Sequence, residues 1–288
     1  MTEGTTRDKL RAEYERACRQ EIEALKPGNV HVFADGHHMT VDQFITSAAV
    51  SSRPLTDPDL PLGKRILEAV RATRDAVGVN TNLGILLLAA PLLRAAERGG
   101  ALRRRVQAVL RGLGMTDTTN VFAAIAHAQP GGLGDTGEND VREPPKIGLL
   151  EAMGQAAGRD MIARQYVTDF ADVFDVGLAA LDESVAGGES GMWPTVFAYL
   201  AFLTAFPDSH IGRKQGSATA VAVQAQARTI LAALHTRRAE NERQAMVAEF
   251  DRRLKADGIN PGTSADLTVA ALLVRNLRDN LHIAVVDD

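Results

Sequence analysis

The chain is short of cysteine, of aromatic side chains, of positive charge and of long apolar runs, and each shortage closes off a class of function. Cys18 stands alone, so there can be no intrachain disulfide and no cysteine-based zinc site. Aromatics are 5% of the residues, with one Trp and three Tyr, fewer than a surface that stacks bases usually carries. Thirty-two basic residues face thirty-six acidic ones for a net charge of −4. The basic excess of a duplex-DNA binder is missing, and no nucleic-acid partner is expected. The longest apolar run, Leu83 to Leu93, is interrupted by Gly84 and Pro91. It is far short of the about 20 residues that span a bilayer, so it reads as a buried helix and no membrane partner is expected. Met1 to Arg11 is polar and charged, without the apolar core of a signal peptide, which points to a cytoplasmic protein.

What the chain does have is a globular composition, 45% hydrophobic and 24% charged over 288 residues, and pervasive helical periodicity. Leu10, Tyr14, Ala17, Cys18, Glu21 and Ile22 recur at spacings of three and four, a stripe that faces a core. The helix carrying them is expected to stop at Lys26-Pro27-Gly28, because the residue before a proline is pushed out of the helical region. Thr40-Val41-Asp42-Gln43 has the form of a capping box and opens a second helix. Further helices are expected at about 64–77, 83–98, 102–113, 117–127, 147–158, 160–181, 194–206, 217–256 with a break near Thr236, and 264–281. Val30 to Phe33 and Ile283 to Val286 are too short and isolated to build a sheet. The expectation is one all-α domain over residues 1–288, of about ten helices, with its special residues in the connections.

Four of those connections share a composition of Gly, Pro, Asn, Thr or Ser: Lys26 to His31, Asn80 to Gly84, Gly131 to Gly134, and Asn260 to Asp266. Several stand directly before a helix, where free amides and the helix dipole favour an anion. Caps and turns use the same residue types, so each stretch taken singly has a purely structural reading. None is a Walker A loop. His31, His37, His38 and Asp35 offer side chains that could bind a metal, yet no partner motif completes a zinc tetrahedron. The segment Asp208-Ser209-His210-Ile211-Gly212-Arg213-Lys214 joins a carboxylate, a hydroxyl, an imidazole and two cations between helices, and its cations beside glycines suit phosphate.

Taken together, these stretches resemble the triphosphoribosyl-dephospho-CoA synthase family. The resemblance begins at Glu21 and the Lys26-Pro27-Gly28 turn, continues through Asp35, His38 and Phe44, and takes in Gly78-Val79-Asn80-Thr81 with Gly84. It ends with Asp208 to Gly216 and Pro261 to Leu267. The family resemblance implies transfer of the triphosphoribosyl group of ATP to a ribose hydroxyl of 3′-dephospho-CoA, with release of adenine. Two departures leave the acceptor open between dephospho-CoA and a related coenzyme precursor. Asn82-Leu83 stands where members acting on dephospho-CoA carry His-Lys, and Asn29-Val30-His31 stands where they carry Leu-Val and an acid. Stretches at 127–134, 140–141 and 160–166 resemble a branch of archaea and one-carbon-metabolising bacteria.

That reaction needs a seat for a triphosphate, stabilisation of an oxocarbenium-like centre and a base for the incoming hydroxyl. The resemblance and the residue chemistry assign Asp208, Asp35 and Glu21 as catalytic candidates. Lys26, Gly28, Asn29, Asn80, Thr81, Asn82, Gly131, Gly132, Arg213, Lys214 and Ser264 are candidates for ATP and its phosphates. Asp208 and Asp266 are candidates for Mg²⁺, which needs only one or two protein carboxylates beside a triphosphate. The expected partners are small molecules, ATP and a hydroxyl acceptor, and a homo-oligomer is left open. Two other readings stand beside this one. An ATP-dependent phosphotransferase would leave ADP, and a non-enzymatic helical interaction protein would scatter its polar loops over the surface.

Overall fold

A computed structural model of the chain describes residues 3–130, 140–236 and 239–286. It is all-helical, a single domain with no strand among the described residues, and it has fourteen α-helices where about ten were expected. The order begins α1 (Glu3–Ile22), α2 (Val41–Leu55), α3 (Leu62–Val77), α4 (Leu83–Ala96), α5 (Leu102–Arg111), α6 (Met115–Ala128) and α7 (Leu149–Ala156). It continues α8 (Met161–Val167), a π-helical turn (Val173–Leu178), α9 (Ala179–Ala186), α10 (Trp193–Ala205), α11 (Ser209–Gln215), α12 (Ser217–Thr236), α13 (Glu240–Ala256) and α14 (Gly262–Leu281). The extra helices have local causes. The stretch 160–181 is divided where Asp169 and Phe170 take positive φ, and α11 forms in what the sequence reads as a connection because Asp208 caps it. The helix that opens the chain ends at Ile22, four residues before Lys26. The capping box at Thr40 is present as expected, with Thr40 and Gln43 bonded reciprocally. No described helix is long and apolar enough to cross a membrane.

Two apolar clusters hold these helices together. The larger gathers α1, α3 to α6, α8 and most of α14 around the largely buried α4. The smaller gathers α10 to α13 with Ala24, Leu25 and Ile259. Residues 24–31, 208–211 and 259–265 contribute Ala24, Leu25, Ile211, Ile259 and Ala265 to the smaller cluster, and they carry the site described below.

The apolar run of α4 contains Pro91, which cannot donate to the carbonyl of Leu87 one turn earlier. The hydroxyl of the buried Tyr166 supplies the missing donor at 2.7 Å. Burial pushes the Tyr166 phenol above its ordinary range, so it stays protonated and able to donate. A second buried polar fastener is Arg65, fully enclosed, which donates to the carbonyls of Leu55 and Leu60 at 3.1 Å each and grips both carboxylate oxygens of Glu97. It ties the α2–α3 connection to the end of α4.

Tyr166→Phe leaves the Leu87 carbonyl buried without a donor, and the expected loss is about 1–3 kcal/mol in urea unfolding. In a Pro91→Ala background the helix regains its own amide donor, so the same Tyr166→Phe change is expected to cost clearly less. Equal losses in the two backgrounds would show that Tyr166 does not serve the proline gap.

Candidate active site

The loop that leads into α14 is the hub. Its Asn260 accepts from the amide of Asn29 at 2.8 Å. Pro261 and Ile259 press on Gly28, whose φ of +82° and absent side chain let the two loops touch; a Cβ there would lie 2.8 Å from Pro261 Cδ. Thr263 shares a 2.9 Å hydrogen bond with Ser209. Asp266, on the first turns of α14, presses on the start of α4, where a Cβ on Gly84 would lie 2.1 Å from Asp266 Oδ2. Three of the four polar stretches therefore meet on one hub, as an enzyme requires and a scattered interaction surface does not. The fourth, with Gly131 and Gly132, lies outside the described residues.

Most of the expected site residues act on the protein itself. Lys26 is fully buried, and its ammonium donates to Glu21, to Asn29 Oδ1 at 2.9 Å and to the Val30 carbonyl at 2.8 Å. It does not present its charge outward to a phosphate, because its three protons are engaged. Burial drives Lys26 down and Glu21 up toward their neutral forms, and each one's charge pulls the other back. Gly28 donates its amide to Asp251 Oδ1 at 2.8 Å, and its carbonyl meets His37 Nε2 at 2.7 Å. The hydroxyl of Tyr199 holds the Pro27 carbonyl at 2.7 Å. Asn80 Oδ1 accepts from the Leu83 amide at 3.1 Å, and Thr81 shares a 2.6 Å hydrogen bond with Ser47.

Asp208 is held by the protein through both of its oxygens. It was expected as base or Mg²⁺ ligand, yet it is 2% exposed and its four acceptor positions are taken. Oδ1 accepts from the amides of His210 and Ile211 at 2.9 and 3.1 Å, the N-cap of α11. Oδ2 accepts from the Ser264 amide and hydroxyl, both at 2.8 Å. Pro261, which begins α14, has no side chain to cap it, so Asp208 caps two helices at once. This also occupies Ser264. Asp35, the other catalytic candidate, is exposed and accepts from the Val41 amide at 3.1 Å.

A few groups keep chemistry to offer. Asp266 is half-buried and has no hydrogen bond or ion pair among the described residues. Burial, then the charges of Glu21 and Asp208, hold its carboxyl well above the usual range. Lys214 is exposed and unpaired among the described residues, beside Arg213, which pairs with Asp160 Oδ2. His210 packs its ring on Gly262, and its Nε2 is buried without a partner. Burial, with Lys214 and Arg213 nearby, pushes it down to about 3, so it is neutral at pH 7. Asn82 is buried, with one long contact of 3.5 Å from its amide to Ser51. Among the described residues, no group of three or more His, Cys, Asp or Glu side chains is placed to hold a metal ion. Sequence reasoning missed Asp251, Lys255 and Asp160. They anchor the hub across spans of about fifty to over two hundred residues, and no local pattern announces them.

The family model for ATP:dephospho-CoA triphosphoribosyl transferase matches residues 7–284. The chain belongs to this family. It is a transferase whose reaction moves the triphosphoribosyl group of ATP to dephospho-CoA. Among solved structures it is similar to one assigned to a triphosphoribosyl-dephospho-CoA synthase of Archaeoglobus fulgidus. The two share 26% identity with a TM-score of 0.61, over 79% of this chain and 96% of that one. A comparison with curated protein sequences finds no significant match.

The geometry yields two expectations for stability. Asp208→Ala uncaps α11 and α14 together, and at about 1 kcal/mol per cap it should lower the unfolding free energy by roughly 2 kcal/mol or more. Asp266→Asn should do the reverse at neutral pH. Its folded-state carboxyl ionises at higher pH than its unfolded one, so between the two the unfolded chain holds fewer protons and stability falls as pH rises. The Asn variant should therefore gain on the parent from about pH 4 upward, judged by the ordinary Asp value. Melting curves across pH that run parallel for the two proteins would contradict this.

Proposed function

We propose that the transfer takes place at the hub, with Asp266 as the base for the acceptor hydroxyl. The observation that carries this is the lone Asp266 carboxylate, pressed on Gly84 and held without a partner among the described residues. A base must hold a free lone pair within reach of the proton it takes, and a raised pKa brings it closer to the working pH. Asp208, saturated with donors, lacks that free lone pair.

In this reading the hydroxyl oxygen bonds to C1′ of the ATP ribose while the bond from C1′ to the adenine nitrogen breaks. Asp266 takes the hydroxyl proton, and adenine departs with the bonding pair and is protonated as it leaves. Positive charge grows on the ribose at the transition state. The carboxylates of Asp266 and Glu21 lie where they favour that charge, in a site partly withdrawn from water. The Lys26 ammonium favours the ionised form of Glu21 against the burial that opposes it. Arg213 and Lys214 supply the positive side of the site and are assigned to the triphosphate. Mg²⁺ enters as the counter-ion of ATP, its ligands chiefly phosphate oxygens; Asp208 does not suit it, because no oxygen of its carboxylate is left over. Neutral His210, with a buried nitrogen open to a partner, suits a hydrogen bond to substrate better than a charge contact. Dephospho-CoA is the acceptor on the family's terms, and the departures at Asn29 to His31 and at Asn82-Leu83 mark where this chain's preference among related hydroxyl acceptors is set.

Incubation with MgATP and dephospho-CoA, followed by chromatography of the bases, tests the reading. Free adenine is expected in step with consumption of the acceptor; ADP in its place would overturn it. Asp266→Asn should lower the turnover number by about 10²- to 10⁴-fold, the range of a lost general base. The parent's activity should rise with pH across an ionisation lying above the ordinary carboxylate range. Full turnover in a folded Asp266→Asn protein would remove Asp266 from the chemistry.

A further inference from the structure

A second gathering of positive charge lies away from the hub. A cavity of about 600 Å³ opens between α1, the end of α2 and the connection to α3. Arg7 and Arg11 line it from α1 and Arg53 from α2, with Asp57 and Leu60 on the connection. An α-helix rises about 1.5 Å per residue, which sets Arg11 about 15 Å and Arg7 about 21 Å along α1 from Glu21. We infer that this cavity is a second ligand site, which takes a small phosphate-bearing molecule through its three guanidinium groups. The inference does not rest on the role given to Asp266 above.

The three guanidinium groups lack the partners that would neutralise them. Arg7 and Arg53 make no hydrogen bond or ion pair among the described residues. Arg11 has one loose ion pair, 3.4 Å to Asp8, and its Nε is buried with no acceptor. The two carboxylates of the cavity are turned to other work. The Asp8 side chain is 74% exposed, and Asp57 Oδ1 accepts from the Asp59 amide at 3.1 Å. Like charges collected on one cavity repel one another until an anion sits among them. The planar fork of a guanidinium matches the spacing of phosphate oxygens, and the hydrogen bonds it makes there are charge-assisted.

The end of a helix would ordinarily count against an anion, because its free carbonyls carry the negative end of the dipole. At the end of α2 each of them is engaged. The Ser52 carbonyl accepts from the Thr56 hydroxyl at 2.9 Å, and the carbonyls of Arg53 and Pro54 accept from the amides of Thr56 and Asp57 at 3.3 Å. The Leu55 carbonyl accepts from the buried Arg65, which also holds the carbonyl of Leu60. The wall is therefore fixed before a ligand arrives, which lowers the cost of binding. The volume falls within the range of small-ligand sites and exceeds what a bare phosphate fills. Pro54 and Leu60 give it an apolar surface for a carbon skeleton.

Isothermal titration of ribose 5-phosphate and, separately, of inorganic pyrophosphate into the full chain tests the site. Binding of at least one is expected, and Arg53→Gln should weaken it by about tenfold or more, the effect of a lost charge-assisted contact. Arg53→Lys keeps the charge and loses the fork, so it should weaken binding too. The binding that Arg53→Gln removes should persist in Lys214→Ala, a change at the hub. Arg53 is exposed, and Arg7→Gln serves as a second variant if Arg53→Gln does not fold. A parent chain that binds neither probe overturns the inference. So does binding that is unchanged in the Gln variants, kept in full by Arg53→Lys, or lost in Lys214→Ala. Tighter binding of the sugar phosphate marks an ester as the occupant, and tighter binding of pyrophosphate marks an inorganic anion. Adenine release from MgATP by Arg53→Gln, with neither probe added, should match that of the parent. Its loss in a folded variant would make the cavity part of the transfer site and overturn its standing as a second one.

Discussion

The Asp208 carboxylate is the constraint on which the rest of the site depends. It stands at the start of α11 and reaches across to the start of α14, where Pro261 cannot serve. Two helix ends are thereby fixed to one side chain with four hydrogen bonds. Because α14 runs on through the larger core, fixing its first turn also fixes where Asp266 points. Substrate-side chemistry and helix capping are coupled through that one buried group.

Around it most buried polar groups are paired, and two groups at the hub are left open. Lys26 with Glu21, Arg65 with Glu97, and Asn29 with Asn260 each satisfy the demand that a buried donor or charge find a partner. Asp266 and the Nε2 of His210 do not, among the described residues. Leaving these groups open carries a cost in stability. Such local cost is what a site built for a ligand or a transition state carries.

The same logic explains the glycines. Gly84 is required because a carboxylate lies where its Cβ would be, and Gly28 because two loops cross within a side chain's width at positive φ. Neither glycine touches phosphate in order to be needed. Residues that resemble an anion-binding set in sequence are, in three dimensions, largely the fasteners that let a smaller set work.

The sequence by itself determined the helical class, the helix-opening signal at Thr40, the break near Thr236 and the family, because each rests on local spacing or on motifs in a fixed order. It also named Asp266, Glu21 and Asn82 among its candidates. It could not divide those candidates into groups that hold the protein together and groups that are free to react. Asp208 and Asp266 are both acids beside helix starts, and the difference between them is who donates to each. For Asp208 the deciding donors are the amide and hydroxyl of Ser264, fifty-six residues away; for Lys26 they are neighbours that close on it only when its loop is buried. Hydrogen-bond satisfaction is a property of contacts distant in the chain, so tertiary structure alone decided which of the predicted residues were left with chemistry to perform.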